Sequence, residues 1–169
     1  MQPLIVLLSV FIISLVATKM IRGKFSFALS GRIGMSAMLV FTAIGHFIFT
    51  KGMAMMLPDF IPYKTEIVYL TGAIEIAAAA GLLIPRFKII TGWLLIAFFL
   101  LILPANIYAA LNHIDYQKGS FDGNGLVYLW FRIPLQILFI AWTFFSSIKT
   151  SEKGRTDKQW KLHYSTFLP

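Results

Sequence analysis

Long uninterrupted runs of apolar residues dominate the hydrophobic pattern of this chain. Five such runs lie at about residues 3–21, 31–50, 66–84, 88–111 and 125–148. Each is close to the ~20 residues that an α-helix needs to cross the core of a bilayer. Residues that break helices, such as Gly23, Pro58 and Pro85, fall in the connections between the runs. The pattern predicts an all-α, integral membrane helical bundle of five spans, forming a single transmembrane domain over residues 1–148.

The composition of the 169-residue chain strengthens this interpretation. Hydrophobic residues make up 58% of it and the mean hydropathy is +0.77, which is outside the range of soluble globular domains. Cysteine is absent, so disulfides, thiol relays and cysteine-bound iron–sulfur clusters are excluded as chemistry of this chain. The formal net charge of +8 does not indicate a nucleic-acid partner, because the basic residues flank the apolar runs.

The net positive charge is concentrated in three segments outside the apolar runs. These are the first connection, with Lys19, Arg22, Lys24 and Arg32, the third, with Arg86 and Lys88, and the tail over residues 149–169. The second connection is neutral and the fourth carries one net negative charge. Under the positive-inside rule, this distribution predicts an N-terminus outside and a basic C-terminal tail in the cytoplasm. The tail's mixture of basic and aromatic residues suits either binding to anionic lipid head groups or a solvated end.

The first apolar run resembles a signal peptide in length but differs from one in its flanks. No basic residue precedes it, and the basic sequence that follows lacks an Ala-x-Ala cleavage site. We therefore expect it to be a retained membrane anchor.

Two charged residues lie inside the predicted spans, Glu75 in the third and Arg132 in the fifth. A charge in the hydrocarbon core is costly, so both side chains should face the interior of the bundle. Their opposite signs predict an ion pair between them. Thr71 lies one helical turn before Glu75, and Tyr128 and Gln136 lie one turn to either side of Arg132. This spacing predicts a polar face on each of the two helices.

The other spans add polar groups at a similar depth, His46 in the second and Asn106 in the fourth. We expect one hydrogen-bonded cluster that opens toward the outer face of the membrane. The candidate ligand-binding residues are His46, Thr71, Glu75, Asn106, Tyr128, Arg132 and Gln136. If a proton moves within this cluster, His46 is the residue best suited to carry it. The alternative is a purely structural cluster that fixes the register of the helices.

The connection between Lys51 and Lys64 is unusually apolar for a loop and contains Met53, Met55 and Met56. We predict that it lies over the mouth of the cluster, where flexible methionine side chains would suit a lipidic ligand such as a quinone. Simple packing in the membrane interface is the alternative.

The sequence contains no self-sufficient catalytic motif. It has no metal-spaced ligand set, no phosphate-binding glycine loop and no hydrolase nucleophile motif. His113 and His163 fall outside the spans, which disfavours a haem held by two buried histidines. No cofactor is evident from these residues, with a quinone as the candidate that the methionine-rich connection allows; no metal is expected, and the chain would be at most a membrane subunit of an oxidoreductase.

Several motifs occur in an order that resembles the DoxX-like membrane protein family. They are Gly45-His46-Phe47, Leu70-Thr71-Gly72 through Glu75, Leu82-Leu83-Ile84-Pro85, Pro104-Ala105-Asn106 and Arg132-Ile133-Pro134-Leu135-Gln136. The similarity runs from about Gly31 to Trp142. It implies a four-helix core formed by the second to fifth spans, an added first span and a bacterial inner-membrane location. It also implies a shared set of polar positions, namely His46, Glu75, Asn106, Arg132 and Gln136.

The resemblance also implies a function. DoxX-like proteins include a subunit linked to thiosulfate:quinone oxidoreductase, components of other membrane oxidoreductase complexes and, among distant animal relatives, a chaperone for receptor assembly. We therefore expect an outer-facing pocket for a quinone or lipid, serving a redox system together with a membrane or exported partner protein. The alternative is a non-enzymatic assembly factor or scaffold. A small-solute transporter is disfavoured because the five spans show no inverted repeat.

Overall fold

The computed structural model of the chain describes residues 2–150. Within this range the chain is helical and contains no strand, and five of its helices are long and apolar enough to span a membrane, as predicted. The helices are α1 (Gln2–Arg22), α2 (Phe27–Ile48), α3 (Thr50–Met55), α4 (Lys64–Leu83), α5 (Lys88–Leu111) and α6 (Val127–Thr143). α6 runs directly into a π-helical turn, Phe144–Lys149, and the two together form the fifth long segment. Of the predicted tail, residues 151–169 lie outside the described part of the chain.

The largest departures from the predicted spans are at the start of α2 and in the connection that follows it. α2 begins at Phe27, four residues earlier than expected, because the polar residues of its first turns have partners or neighbours inside the protein. The Ser30 hydroxyl, for example, lies 3.5 Å from that of Thr18 on α1. The apolar connection after α2 contains the short helix α3, which starts two residues beyond Ile48. The Thr50 hydroxyl donates a hydrogen bond to the His46 carbonyl oxygen at 2.7 Å and so joins the end of α2 to the start of α3.

The core of the bundle is formed mainly by leucine, methionine and phenylalanine side chains from α1, α2, α4, α5 and α6. Its buried members include Leu7, Met35, Leu39, Leu82, Leu95, Leu135 and Phe139. α2 packs most extensively against α4 and α1, whereas α5 packs mainly against α6 and the π-helical turn. Large apolar side chains such as Ile13, Leu101 and Trp130 are exposed on the outer faces of the helices. This outward-facing apolar surface is typical of helices that face lipid.

Successive long helices run in opposite directions, so their termini meet in two groups. We call the first group the basic end, which carries Lys19, Arg22, Lys24, Arg32, Arg86, Lys88 and Lys149. The helices approach closely there, since a Cβ atom at Gly31 would lie 2.9 Å from the Cβ atom of Ser146. The Trp142 indole N–H also donates to the Gly31 carbonyl oxygen at 3.0 Å. The second group, which we call the cavity end, holds α3 and the connections that follow α3 and α5.

Candidate functional site

A cavity of about 450 Å³ lies at the cavity end, between α2, α4, α5 and α6. Its volume falls within the range of small-molecule binding sites in proteins. The seven residues predicted from the sequence all line it: His46, Thr71, Glu75, Asn106, Tyr128, Arg132 and Gln136. Most of the remaining wall is apolar and includes Phe98, Phe99, Ile102, Leu135 and Phe139. The bundle therefore combines an apolar space with one concentrated set of polar groups.

His46 and Glu75 form the charged centre of this cavity. The His46 Nε2 atom lies 3.5 Å from the Glu75 Oε2 atom, and the Glu75 side chain is only 6% exposed. This buried oxygen makes no aligned hydrogen bond within residues 2–150, so its contact with His46 is electrostatic. An acceptor atom in that position is rare in a protein interior and commonly marks a place where water or a ligand binds.

The other ring nitrogen of His46 faces two oxygen atoms on α4. His46 Nδ1 lies 3.1 Å from the Thr71 hydroxyl and 3.2 Å from the Val68 carbonyl oxygen. The Thr71 hydroxyl donates its own proton to the Val68 carbonyl at 2.8 Å, which leaves the hydroxyl oxygen free to accept. Both ring nitrogens of His46 therefore face oxygen atoms that can accept a hydrogen bond.

Arg132 is oriented by Asn106 on the neighbouring helix. The Arg132 Nε–H group donates to the Asn106 side-chain oxygen at 3.2 Å, and the Asn106 amide donates to the Ile102 carbonyl oxygen at 3.0 Å. Within residues 2–150, Arg132 makes no ion pair. Its guanidinium group carries five N–H donors in a fixed plane, so most of them are available to a ligand in the cavity.

The predicted ion pair between Glu75 and Arg132 is wrong. Glu75 pairs with His46 and Arg132 bonds to Asn106. The reason is the packing order of the helices, because α4 lies against α2, whereas α6 lies against α5. Each charged side chain meets the polar group of the helix beside it, and the cavity lies between the two pairs.

Two other predicted residues flank Arg132 on α6. Gln136 is buried, and its amide donates a hydrogen bond to the Phe99 carbonyl oxygen on α5. Tyr128, one turn before Arg132, also lines the cavity. Gln136 thus holds α6 against α5, which is a structural contribution to the cavity wall.

The roof of the cavity is built from two chain segments. Met53, Met56 and Leu57 of the apolar connection after α2 line the cavity, as do Tyr116 and Gln117 of the connection between α5 and α6. The two segments meet at Gly52, which is buried, and a Cβ atom there would overlap the backbone of Tyr116.

Sequence reasoning did not identify the contribution of Tyr116, Gln117 or the Val68 carbonyl. A backbone carbonyl leaves no signal in a sequence, and the α5–α6 connection has only the glycines typical of a turn.

In the connection between α5 and α6 the Ser120 hydroxyl donates to the Asp122 carboxylate, and this hydrogen bond, with the charge of Lys118, lowers the pKa of Asp122 below its ordinary value. An ordinary aspartate is already ionised at neutral pH, and the lowered pKa keeps Asp122 charged in more acidic solution as well. Within residues 2–150, no group of three or more His, Cys, Asp or Glu side chains could hold a metal ion.

Comparison with known families adds one finding. A family model described as a domain of unknown function (DUF8561) matches residues 35–147, which is more than half of the chain. The chain belongs to the DUF8561 family. The DUF8561 segment contains all seven predicted site residues, whereas α1 and the first turns of α2 lie outside it. No curated protein and no solved structure matches the chain.

Proposed function

We propose that this protein is a DoxX-like membrane protein of the bacterial inner membrane whose cavity binds a quinone-like or other lipidic ligand. In this role it would be the membrane component of a redox system, with its N-terminus outside and its C-terminus in the cytoplasm. The observation that carries the proposal is the cavity of about 450 Å³, which has mostly apolar walls and a polar cluster drawn from four helices. Ligand sites commonly have this composition, with a few polar groups fixing the orientation of an apolar molecule.

The donors and acceptors of the cavity suit a quinone head group. A quinone is a flat ring with two carbonyl acceptors and an apolar tail, so it needs hydrogen-bond donors together with an apolar slot. The N–H groups of Arg132 that make no hydrogen bond within residues 2–150 supply donors, and the aromatic side chains of Phe98 and Phe99 supply flat apolar surface. Flexible Met53 and Met56 in the roof can adjust to ligands of different shape.

A bound quinone would supply the redox chemistry, since its reduction takes up two electrons and two protons. The residues of this chain would bind and orient the ring, exclude water and hold a proton between His46 Nε2 and the Glu75 carboxylate. Because the chain has no cysteine, we assign the delivery of electrons to a partner protein. The protein alone would then bind the ligand without turning it over.

The proposed orientation is supported by the distribution of charge between the two ends. The basic end carries seven cationic side chains, whereas the connections at the cavity end contain acidic and basic residues in similar numbers. A reporter fused to the C-terminus should therefore be active only in the cytoplasm. A C-terminal reporter that is active on the outer side of the membrane would contradict this orientation.

A second candidate function is a non-enzymatic assembly factor or scaffold. It is favoured by the hydrogen bonds of Asn106 and Gln136, which join α5 to α6 and need no ligand. In this case the polar cluster would serve only to fix the order of the helices.

Titration of the purified protein with short-chain ubiquinone and menaquinone analogues separates the two functions. A ligand that binds the folded state raises the thermal unfolding temperature. We expect this rise in the native protein and its loss in His46→Gln and Arg132→Gln variants that remain folded.

The matched control is Ser36→Ala. The Ser36 hydroxyl donates to the Ala79 carbonyl oxygen at 2.9 Å and joins α2 to α4 without lining the cavity. This variant should be less stable and yet bind the analogues as tightly as the native protein. Failure of the folded native protein to bind any analogue, together with reduced stability of all three variants, would support the scaffold.

A further inference from the structure

The basic end presents cationic side chains that have no acidic partner in the described part of the chain. Its seven Lys and Arg residues come from the ends of α1, α2, α5 and the π-helical turn and from two connections. The five carboxylates of residues 2–150 all lie elsewhere: Asp59, Glu66, Glu75, Asp115 and Asp122. A positive surface whose charge is not balanced by residues 2–150 attracts anions.

Arg32 is held partly inside the bundle by a hydrogen bond to the π-helical turn. One of its terminal N–H groups donates to the Ser146 carbonyl oxygen at 3.1 Å, across the contact between α2 and the π-helical turn. Its Nε–H group is buried and makes no hydrogen bond within residues 2–150. The guanidinium group is therefore fixed in position, but its charge is not neutralised by this part of the protein.

A second cation, Lys88, belongs to the same helix junction. Lys88 is the half-buried first residue of α5. One turn further along α5, a Cβ atom at Gly92 would lie 3.3 Å from the Cβ atom of Ser147, next in sequence to the Ser146 carbonyl that binds Arg32. The buried Ser146 hydroxyl beside them also lacks a hydrogen-bond partner within residues 2–150. Two neighbouring cations and an unsatisfied hydroxyl group at a fixed helix junction would be stabilised by a shared anion.

We propose that Arg32 and Lys88 bind the phosphate group of an anionic phospholipid. The surroundings favour a lipid over a soluble phosphate, because the exposed aromatic side chains of Phe27 and Phe87 lie close in sequence to the two cations. Acyl chains would continue along the exposed apolar faces of α2 and α5. The guanidinium plane can engage two phosphate oxygens at once, and Lys88 adds a point charge. This site is at the opposite end from the cavity and is independent of the proposed quinone function.

The test measures binding of individual lipids to the full chain in detergent by native mass spectrometry. Phosphatidylglycerol is titrated as the anionic lipid and phosphatidylcholine as the zwitterionic one. We expect the native protein to prefer phosphatidylglycerol and Arg32→Gln to lose about tenfold in affinity for it. Arg32→Lys should lose less, because it keeps the charge but not the planar fork.

The matched control is Arg22→Gln, which removes the same charge from an exposed position of the basic end. It should change the affinity by less than about twofold, because a solvated charge outside a built site contributes little to the binding of one lipid. If Arg32→Gln does not fold, Lys88→Gln replaces it and should lose about fivefold. If Arg22→Gln loses as much affinity for phosphatidylglycerol as Arg32→Gln, or as Lys88→Gln where that variant replaces it, the proposal is overturned.

Two further measurements exclude other occupants. Millimolar inorganic phosphate should not displace phosphatidylglycerol, and displacement would show a site for soluble anions instead of a lipid site. Neutralising Glu152 and Asp157, which lie outside the described residues, by Glu152→Gln and Asp157→Asn should leave the affinity unchanged. A large gain in lipid affinity in that variant would show that the chain's own carboxylates occupy the site, which also contradicts the proposal.

Discussion

The cavity end and the basic end both place charged side chains at the ends or in the interior of apolar helices. The two ends accommodate these charges in opposite ways. At the cavity end Glu75 and Arg132 each meet a polar group on the adjacent helix, and an open space lined mainly by large apolar side chains lies between the two pairs. At the basic end small residues let the helices close, and Arg32 remains without a counter-charge in the described residues. The comparison shows that polar residues alone do not create a cavity, because the size of the side chains around them decides whether space remains.

The largest effect is expected from His46→Ala at the cavity end. This change leaves the buried Glu75 carboxyl group without its partner on α2 and should destabilise the protein by about 3 kcal/mol. Thermal unfolding in detergent, followed by circular dichroism, measures the loss. The double variant His46→Ala with Glu75→Gln should recover most of the stability, because the unpaired charge is gone. A double variant as unstable as His46→Ala alone would show that the two residues do not form a pair.

A smaller loss is expected from Gly52→Ala in the roof of the cavity. The added methyl group would overlap the backbone of Tyr116, so one of the two roof segments must move, at a cost of about 2 kcal/mol. Limited proteolysis should then cut the connection between α5 and α6 faster than in the native protein. Unchanged cleavage together with unchanged stability would show that the two segments are not in contact.

The corresponding change at the basic end is Gly31→Ala. Its methyl group would lie 2.9 Å from the Ser146 Cβ atom, which is closer than Cβ contacts in proteins allow, so the π-helical turn or α2 must shift. We expect a loss of about 1 kcal/mol, with no change in binding at the cavity end. Denaturation of the purified variant, measured beside a quinone-analogue titration, checks both parts. An increase in stability would mean that the helices are not closely packed at this end.

The smallest effect on stability is expected from Gly45→Ala, and this effect is a gain where the other three variants lose. This glycine lies in α2 beside the cavity, and its methyl group would meet only the flexible end of Met53, at 3.7 Å. Alanine is favoured over glycine within a helix, so the variant should gain about 0.5 kcal/mol. Its unfolding midpoint, compared with that of Gly31→Ala, tests directly whether one end is open and the other closed. A loss in Gly45→Ala as large as that in Gly31→Ala would remove the distinction.

The sequence predicted the helices and the members of the polar cluster better than the pairing within it. Length and hydropathy set the five long helices, and the cost of exposing a polar group to lipid directs residues such as His46 and Asn106 inward. Both rules act on one helix at a time. The partner of Glu75 depends on which helix lies next to α4, and neither depth nor sign of charge determines that order. The same limit applies to the Arg32 and Ser146 contact, which joins residues from opposite ends of the chain.

The two polar pairs of the cavity share an order along the chain. His46 precedes Glu75, and Asn106 precedes Arg132. During synthesis at the ribosome, α2 would therefore enter the membrane before α4, and α5 before α6. Glu75 and Arg132 would each enter the membrane after the residue with which they pair. Neither side chain would then have to remain unpaired in the bilayer until a later segment emerged.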